Sequence, residues 1–406
     1  MTPLFEGMRI LEFGGGAAGP IATRYFADHG ATVIRVESRR RPDFLRILRL
    51  TPTTPGGVDG SAHFAVLNPN KLSIALDLSR PEGVALARRL AIAVDAVAEN
   101  FAPGAMARWG LDYESLVRER PDLVMISTCL NGQTGPDRAY PGFGGQGSAL
   151  AGFNHLTGWP DREPVGPFGT ITDSLSPRFA ALLLAAALLH RRRTGAGQHI
   201  DLAQVEAGIV CLSESLLTYT ANGEILTRMG NRSRHAVPHG VFRCADEDGR
   251  DRWAAIAVHD DEDWRRLAGA LGRPAWTLEP VLATVDGRRR HEDEIEARLT
   301  EWTATRTAVD VAAHLQAAGL DAAPVEDFGD LHDDPQLAHR RHFRTVEHDV
   351  LGTHPVETHA IRFSAMEPRI ERPAPRLGAD TDVVLRELLG IGAAELDRLR
   401  AAGVLE

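Results

Sequence analysis

A glycine-rich turn near the start of the chain constrains the fold more than any other feature. The residues 14-GGGAAG-19 have the spacing G-x-G-x-x-G and lie between two apolar runs, 8–13 and 32–36. A strand, a glycine turn and a helix in this order are typical of the first βαβ unit of a nucleotide-binding sheet. Glu37 ends the second run, where a ribose-binding acid would lie. The pattern permits an NAD(P) oxidoreductase, although any close backbone approach also requires glycine.

Strand-like and helical stretches alternate through the first two hundred residues, which predicts an α/β fold with a parallel, helix-covered, Rossmann-like sheet. Apolar runs predict further strands at 72–78, 96–98 and 122–127. The apolar pattern predicts helices at Pro81–Ala93 and, roughly, at Pro177–His190 and Leu202–Ala221.

The pattern changes at about residue 222. Residues 222–330 contain two strand-like runs, 236–244 and 252–258, and two short amphipathic stretches, 262–271 and 308–319. They predict a second, smaller α+β domain. Residues 1–221 then form the large domain, and residues 331–406 return to complete it.

Charge and composition exclude several classes of partner. A net charge of −10 argues against nucleic-acid binding. The longest apolar run, 179–189, is about half of what a bilayer requires, so we expect a buried helix and no membrane contact. The first residues do not resemble a signal peptide, and three scattered cysteines predict neither disulfides nor a metal site. We expect a cytoplasmic protein.

Two motifs, E-N-F-x-P-G at 99–104 and R-T-G-x-G-Q-x-I-D at 193–201, are seldom found together. With them, the stretches 8–13, 18–37, 68–83, 94–116, 171–207, 230–244 and 373–381 give the chain a close resemblance to the family III CoA-transferases. That family includes formyl-CoA transferase, carnitine CoA-transferase and α-methylacyl-CoA racemase. The resemblance implies that the glycine turn approaches an acyl-CoA and binds no nicotinamide, which leaves Glu37 a structural or minor role. It also implies an interlocked homodimer.

The resemblance places Asp173, in 172-TDS-174, at the family's nucleophile. A carboxylate that attacks an acyl-CoA gives a mixed anhydride, from which the freed thiolate forms an enzyme thioester. Moving CoA between two acids by this route needs only acyl-CoA and a free carboxylic acid, with no tightly bound cofactor and no metal. Taken without the family, Asp173 would be interpreted as the N-cap of an apolar helix.

The resemblance also implies a CoA site formed by Lys71, Asn100, Phe101, Arg108 and Trp109. Lysine and arginine suit phosphate oxygens, although either could be an ordinary surface charge.

Two loops could supply backbone N–H groups to an oxyanion. One contains Ala17 and Ala18, and the other contains Phe143, Gly144 and Gly145. The sequence does not decide between them. Ala17 stands where formyl-CoA transferase has a glutamine, so oxalate and formate are poor candidate substrates.

Racemases of this family need an acid and a base, typically with a histidine about thirty residues before the aspartate. Phe143 occupies that position and cannot transfer a proton, while the nearby His155 fits an ordinary loop residue. Asn231, Arg232 and His239 lie in a region that often faces the substrate in relatives. A CoA-transferase is the favoured function. The alternatives are an α-methylacyl-CoA epimerase, an NAD(P) oxidoreductase and a silent CoA-binding subunit.

Overall fold

Six parallel strands form the main sheet in this computed structural model, which describes residues 3–405. They are β1 Arg9–Phe13, β2 Thr32–Glu37, β3 Leu72–Ala75, β4 Ala96–Glu99, β5 Val124–Cys129 and β6 Gln198–Ala203. Their order is β3-β2-β1-β4-β5-β6, and every neighbouring pair is parallel. The prediction of a parallel α/β sheet is confirmed. The order reverses between β1 and β4, and open α/β sheets bind ligands beyond the carboxyl ends of the strands at such a switch point.

Helices cover both faces of the sheet because successive strand residues point to opposite sides. Leu11 and Val97 pack in one apolar cluster with α4, and Ile10 and Ala96 pack in another with α1 and α9. The helices of this part of the chain are α1 Ala18–Ala27, α2 Phe44–Ile47, α3 Ala62–Ala65, α4 Pro81–Ala93, α5 Ala105–Arg108, α6 Tyr113–Leu116, α7 Gly144–Leu150, α8 Phe153–Leu156, α9 Ile171–Thr194, α10 Gln204–Val210 and α11 Ser213–Asn222, with a short 3₁₀ helix at Gly57–Asp59.

Helix α9 begins six residues before the predicted start at Pro177, which lies inside the helix. The earlier start places Asp173 in the first turn. Within residues 3–405, α9 is the one helix long and apolar enough to cross a membrane. Its residues Ala180, Leu184 and Ala187 are buried in the apolar cluster against the sheet.

Strand β6 was not predicted, because residues 202–221 were assigned to one helix. Its sequence, QHIDLA, has mostly exposed or half-buried side chains, as fits a strand at the edge of a sheet. Helix α10 starts directly after it, at Gln204.

The chain divides into two compact units. The first contains residues up to Asn154, Gly166–Leu226 and residues from Gln336 onward, and the second contains His155–Val165 and Thr227–Pro335. The sequence-based boundaries placed residues 155–165 in the large domain, whereas in the structure they belong to the second unit. There the N–H of Gly230 donates to the carbonyl of Gly158 over 2.8 Å.

The second unit contains a three-stranded antiparallel sheet with strands in the order β7-β8-β9. Short helices and one apolar cluster, which includes Trp264, Leu299 and Leu315, lie with it. The strands are β7 His239–Arg243, β8 Trp253–Ala257 and β9 Asp321–Pro324, and the helices are α12 Asp261–Ala270, α13 Val285–Arg290, α14 Glu292–Thr303, α15 Ala308–Ala317 and α16 Asp330–Asp333, with 3₁₀ helices at Ala275–Leu278 and Pro280–Ala283.

The last seventy residues return to the main sheet. The N–H of Ser73 in β3 donates to Asp380 over 2.9 Å, and that of Ala75 donates to the Thr381 hydroxyl over 3.0 Å. These bonds satisfy part of an otherwise open sheet edge. The segment contains α17 Pro335–Arg340, the hairpin β10 Phe343–His348 and β11 Gly352–Glu357, and the helices α18 Thr381–Leu389 and α19 Ala393–Ala401.

Candidate active site

Asp173 lies in the first turn of α9, and its side chain is half-buried. Its Oδ1 accepts a hydrogen bond of 3.1 Å from the Gln204 amide. The carboxylate also accepts hydrogen bonds from the Thr170 hydroxyl and the Gly144 N–H. Burial raises the pKa of Asp173 above its ordinary value, and these three hydrogen bonds oppose the rise. Within the described residues no cation pairs with it.

Gly144 is held directly against this carboxylate. A Cβ at position 144 would lie 2.6 Å from Asp173 Cγ and collide with Oδ2. The Gly144 carbonyl accepts hydrogen bonds from Thr172 and Ser148, at 3.0 and 2.8 Å. The loop before α7 is therefore fixed to the start of α9, with the space beside Cγ kept free of a side chain.

Phe143 and Gly145 flank Gly144 in the same loop. The Phe143 side chain is 65% exposed, and its ring centroid lies 5.4 Å from that of Phe44. The Phe143 N–H donates to the Gln146 side chain over 3.0 Å, which caps α7. Gly145 is exposed, with open space where a Cβ would be. An aromatic surface therefore adjoins Gly144 in place of a titratable group.

The glycine turn after β1 packs on Asn100, which follows β4. A Cβ at Gly14 or Gly19 would lie 2.9 or 3.0 Å from Asn100 Cγ, and the Asn100 amide donates to the Gly15 carbonyl over 2.7 Å. Gly14 also has a φ of +116°. The G-x-G-x-x-G spacing thus reflects the close approach of two loops at the switch point of the sheet.

Ala17 and Ala18 lie where this turn enters α1. Ala18 is buried, and Ala17 is half-buried. The N–H of Gly16 is already bonded to the Asp43 carboxylate, at 3.0 and 3.1 Å. Gly16 is therefore not a free donor for an oxyanion. Helix α1 begins at Ala18, and the first N–H groups of any α-helix lack intrahelical partners, so this turn still offers N–H donors.

Four of the predicted CoA-binding residues lie in the segment after β4, and Asn100 is the first of them. The rings of Phe101 and Trp109 meet edge to face with centroids 5.7 Å apart, and both pack on the apolar cluster. Arg108 ends α5 and is exposed. The structure gives its guanidinium no bonded partner within residues 3–405, so its charge is available to a ligand.

Lys71 differs from the expectation for a phosphate-binding lysine. It is fully buried, and its Nζ donates to Glu12, to the Pro20 carbonyl and to Asn68 at 2.8, 2.8 and 3.0 Å. Burial lowers the pKa of Lys71 to about 8, although Glu12 favours the charged form. These contacts use the three hydrogens of the ammonium and argue against a direct contact with CoA.

Glu37 is not available to a ribose. It is buried, and its two oxygens accept hydrogen bonds of 2.8 Å each from Arg46, while the Ser73 hydroxyl donates over 2.6 Å. Glu37, which the sequence suggested as a ribose-binding acid, instead forms a buried ion pair with Arg46. This geometry gives no support to the NAD(P) alternative.

Two polar residues of this region were missed by the sequence analysis. Gln204 contacts Asp173, but it lies just beyond the R-T-G-x-G-Q-x-I-D motif and no local signal marks it. Glu99 opens the E-N-F-x-P-G motif and is buried. Burial raises the pKa of Glu99 to about 7, although the Ser127 hydroxyl and the Phe101 N–H donate to it. The position of Glu99 in the E-N-F-x-P-G motif was the sequence signal that could have identified it.

In the second unit, the residues expected near a substrate have partners within that unit. Arg232 forms ion pairs with α14, including one of 2.7 Å to Glu296. His239 Nδ1 lies 2.6 Å from the Asn231 carbonyl oxygen. His155 is exposed. Across residues 3–405, no group of three or more potential ligands is placed to hold a metal ion.

Comparison with known proteins identifies the family. Residues 5–381 match the model of CoA-transferase family III. A probable CoA-transferase of Mycobacterium tuberculosis is 35% identical over 97% of this chain, which spans only 49% of that relative. A succinyl-CoA–D-citramalate CoA-transferase of Chloroflexus aurantiacus is 34% identical over 98% of both chains.

Among solved structures, a CAIB/BAIF family protein from Brucella suis superposes with a TM-score of 0.86 at 30% identity. The match covers 96% of this chain and 100% of the other. The predicted resemblance and the enzyme class are confirmed: the chain belongs to CoA-transferase family III.

Proposed function

We propose that the protein transfers CoA from an acyl-CoA to a free carboxylic acid through a covalent intermediate on Asp173. The observation that carries this proposal is the state of that carboxylate, which is half-buried, hydrogen bonded by neutral donors and without a cationic partner in the described chain. An ion pair with a cation would stabilise the negative charge of the carboxylate and so weaken its nucleophilicity. Neutral donors orient it and leave it reactive.

The CoA moiety is proposed to bind along the segment after β4. Asn100 fixes the glycine turn, Phe101 and Trp109 offer an aromatic edge, and Arg108 offers an unpaired guanidinium suited to a phosphate. This segment starts at the switch point of the sheet, where open α/β sheets bind ligands.

The acids exchanged are proposed to be short dicarboxylic acids. The Chloroflexus relative is named for succinyl-CoA and D-citramalate, and both of those acids are dicarboxylic. A panel of acyl-CoA donors and free acids, compared by kcat/KM, tests this choice. Succinyl-CoA should exceed acetyl-CoA as a donor, and equal values for the two would contradict the substrate class.

The protein is proposed to act in the cytoplasm as an interlocked homodimer. Leu182 of α9, Val210 of α10 and Leu217 of α11 are each at least 60% exposed, and a dimer interface on these three helices would cover their apolar side chains. Light scattering should give twice the chain mass of 44.1 kDa. The three cysteines are unpaired, which suits a reducing compartment.

Replacing the nucleophile tests the proposal. Asp173→Ala should reduce transfer to the background rate, while CoA affinity should stay within about twofold because the CoA contacts lie elsewhere. Asp161→Ala, which removes an exposed carboxylate, is the matched control and should behave as wild type. Activity of Asp173→Ala above a few per cent of wild type would show that Asp173 is not the nucleophile.

A further inference from the structure

Gln204 donates a hydrogen bond to the proposed nucleophile. It is 7% exposed, and its Nε2 lies 3.1 Å from Asp173 Oδ1. A carboxylate oxygen only accepts hydrogen bonds, so the carboxamide presents its N–H to Asp173. Oδ2 lies against Gly144, at the place where a Cβ would be. The two oxygens of the nucleophile therefore have different surroundings.

Close packing of α10 on α9 fixes the position of Gln204. Gly208 lies one turn after it on the same face of α10. A Cβ at Gly208 would lie 2.9 Å from Ala151 Cβ and 3.2 Å from Thr172 Cγ2, so glycine permits the approach. Because Thr172 directly precedes Asp173, this contact brings the Gln204 amide to the carboxylate.

The proposed reaction places a negative charge on one oxygen of Asp173 in two of its steps. Oδ2 first bonds to the acyl carbon and the C–S bond breaks, which gives the anhydride and CoA thiolate. The thiolate sulfur then bonds to Asp173 Cγ, and the carbonyl electron pair moves onto Oδ1. When that pair returns, the Cγ–Oδ2 bond breaks and the donor acid leaves as a carboxylate that contains Oδ2. No proton is taken up or released.

The acceptor acid reverses this sequence. Its carboxylate oxygen bonds to Cγ of the enzyme thioester, the electron pair moves again onto Oδ1, and CoA thiolate leaves. The thiolate finally attacks the acceptor's acyl carbon, which forms the new acyl-CoA and frees the Asp173 carboxylate. Oδ1 stays on the enzyme throughout.

We propose that Gln204 is a catalytic residue that stabilises the oxyanion formed on Asp173 Oδ1 in these two steps. The inference rests on the proposed role of Asp173. A buried, already oriented N–H group stabilises such a charge without reorganisation. The carbonyl oxygen of the anhydride or the thioester carries far less charge than the tetrahedral oxyanion. The hydrogen bond is therefore stronger in the transition state than in the anhydride or the thioester, which lowers the barrier.

The test compares the rate of formation of the enzyme–CoA adduct, measured by rapid acid quench and mass spectrometry after mixing with succinyl-CoA. Gln204→Met keeps the length of the side chain but has no donor. It should slow adduct formation and kcat by about 10² to 10³, the usual effect of losing one oxyanion donor, with the KM for acyl-CoA unchanged within about twofold. Gln198→Met, at an exposed position in β6, is the control and should match wild type.

Gln204→Glu separates chemistry from packing. Glutamate has the shape of glutamine, but its ionised form cannot donate, so this variant should become as slow as Gln204→Met at high pH, once both carboxylates are ionised. Its charge should also move the acid limb of the pH–rate profile upward, because two neighbouring carboxylates resist joint ionisation. Near wild-type rates in Gln204→Met, or in Gln204→Glu at high pH, would overturn the role of Gln204.

The adduct also distinguishes the two proposals. If wild type forms no adduct on Asp173, the proposed function fails and the role of Gln204 fails with it. If wild type and Gln204→Met form the adduct at equal rates, only the role of Gln204 is overturned.

Discussion

Replacing Glu99 by glutamine should make the stability of the protein less dependent on pH. Glu99 is 4% exposed at the end of β4, and its pKa is raised by burial from 4.5 to about 7. The folded state therefore binds this proton more tightly than the unfolded chain does. The resulting stabilisation is complete below pH 4.5 and is lost as the pH rises through about 7.

The size of the effect follows from the shift. A change of about 2.5 pKa units at 1.36 kcal/mol per unit corresponds to about 3 kcal/mol, most of which is lost between pH 5 and pH 8. Glutamine stays neutral, and its carbonyl can still accept from the Phe101 N–H, which lies 2.8 Å from the Glu99 carboxylate. Glu99→Gln should therefore be more stable than wild type at pH 8, and the difference should shrink toward pH 5.

Denaturant unfolding of both proteins at several values between pH 5 and pH 8 provides the measurement, since contributions from other groups cancel in the difference. Glu163→Gln removes an exposed carboxylate and is the control, which should leave the pH dependence unchanged. Parallel curves for Glu99→Gln and wild type would refute the reasoning.

Three further predictions concern the site. Arg108→Ala should weaken CoA esters by about 1–3 kcal/mol and pantetheine esters hardly at all, as measured by calorimetry, and equal losses would mark Arg108 as structural. Gly144→Ala should lower kcat about 10²-fold, because a Cβ 2.6 Å from Asp173 Cγ must displace the carboxylate, while Gly145→Ala, which meets open space, should retain activity. A 2-methylacyl-CoA incubated with the enzyme in D2O should show no α-proton exchange by NMR, because Phe143 provides no acid or base; exchange at the turnover rate would favour an epimerase.

Local patterns sufficed for five of the six strands of the main sheet. The strand β1 and helix α4 follow from apolar periodicity and from Pro81 at the first helical position. Strand β6 could not be recognised, because its polar, exposed residues lack the buried pattern of the other strands and only its pairing with β5 makes it a strand. The first turn of α9 was missed because Pro177 suggested a helix start.

The site was predictable where it coincided with a motif. Asp173 and Arg108 came from the resemblance, and the structure leaves both without ion pairs in the described residues. Lys71 matched the same family pattern, but its burial against Glu12 depends on residues 59 positions apart in the sequence. Gln204 reaches Asp173 only through the packing at Gly208, which no linear pattern records.

Mass spectrometry of the protein quenched in acid after incubation with succinyl-CoA tests the central claim most directly. We expect a CoA thioester on the peptide that contains Asp173. This adduct should disappear when a competent acceptor acid is added, and it should be absent from Asp173→Ala. An active wild-type enzyme that yields no adduct, or an adduct on a different residue, would contradict the account.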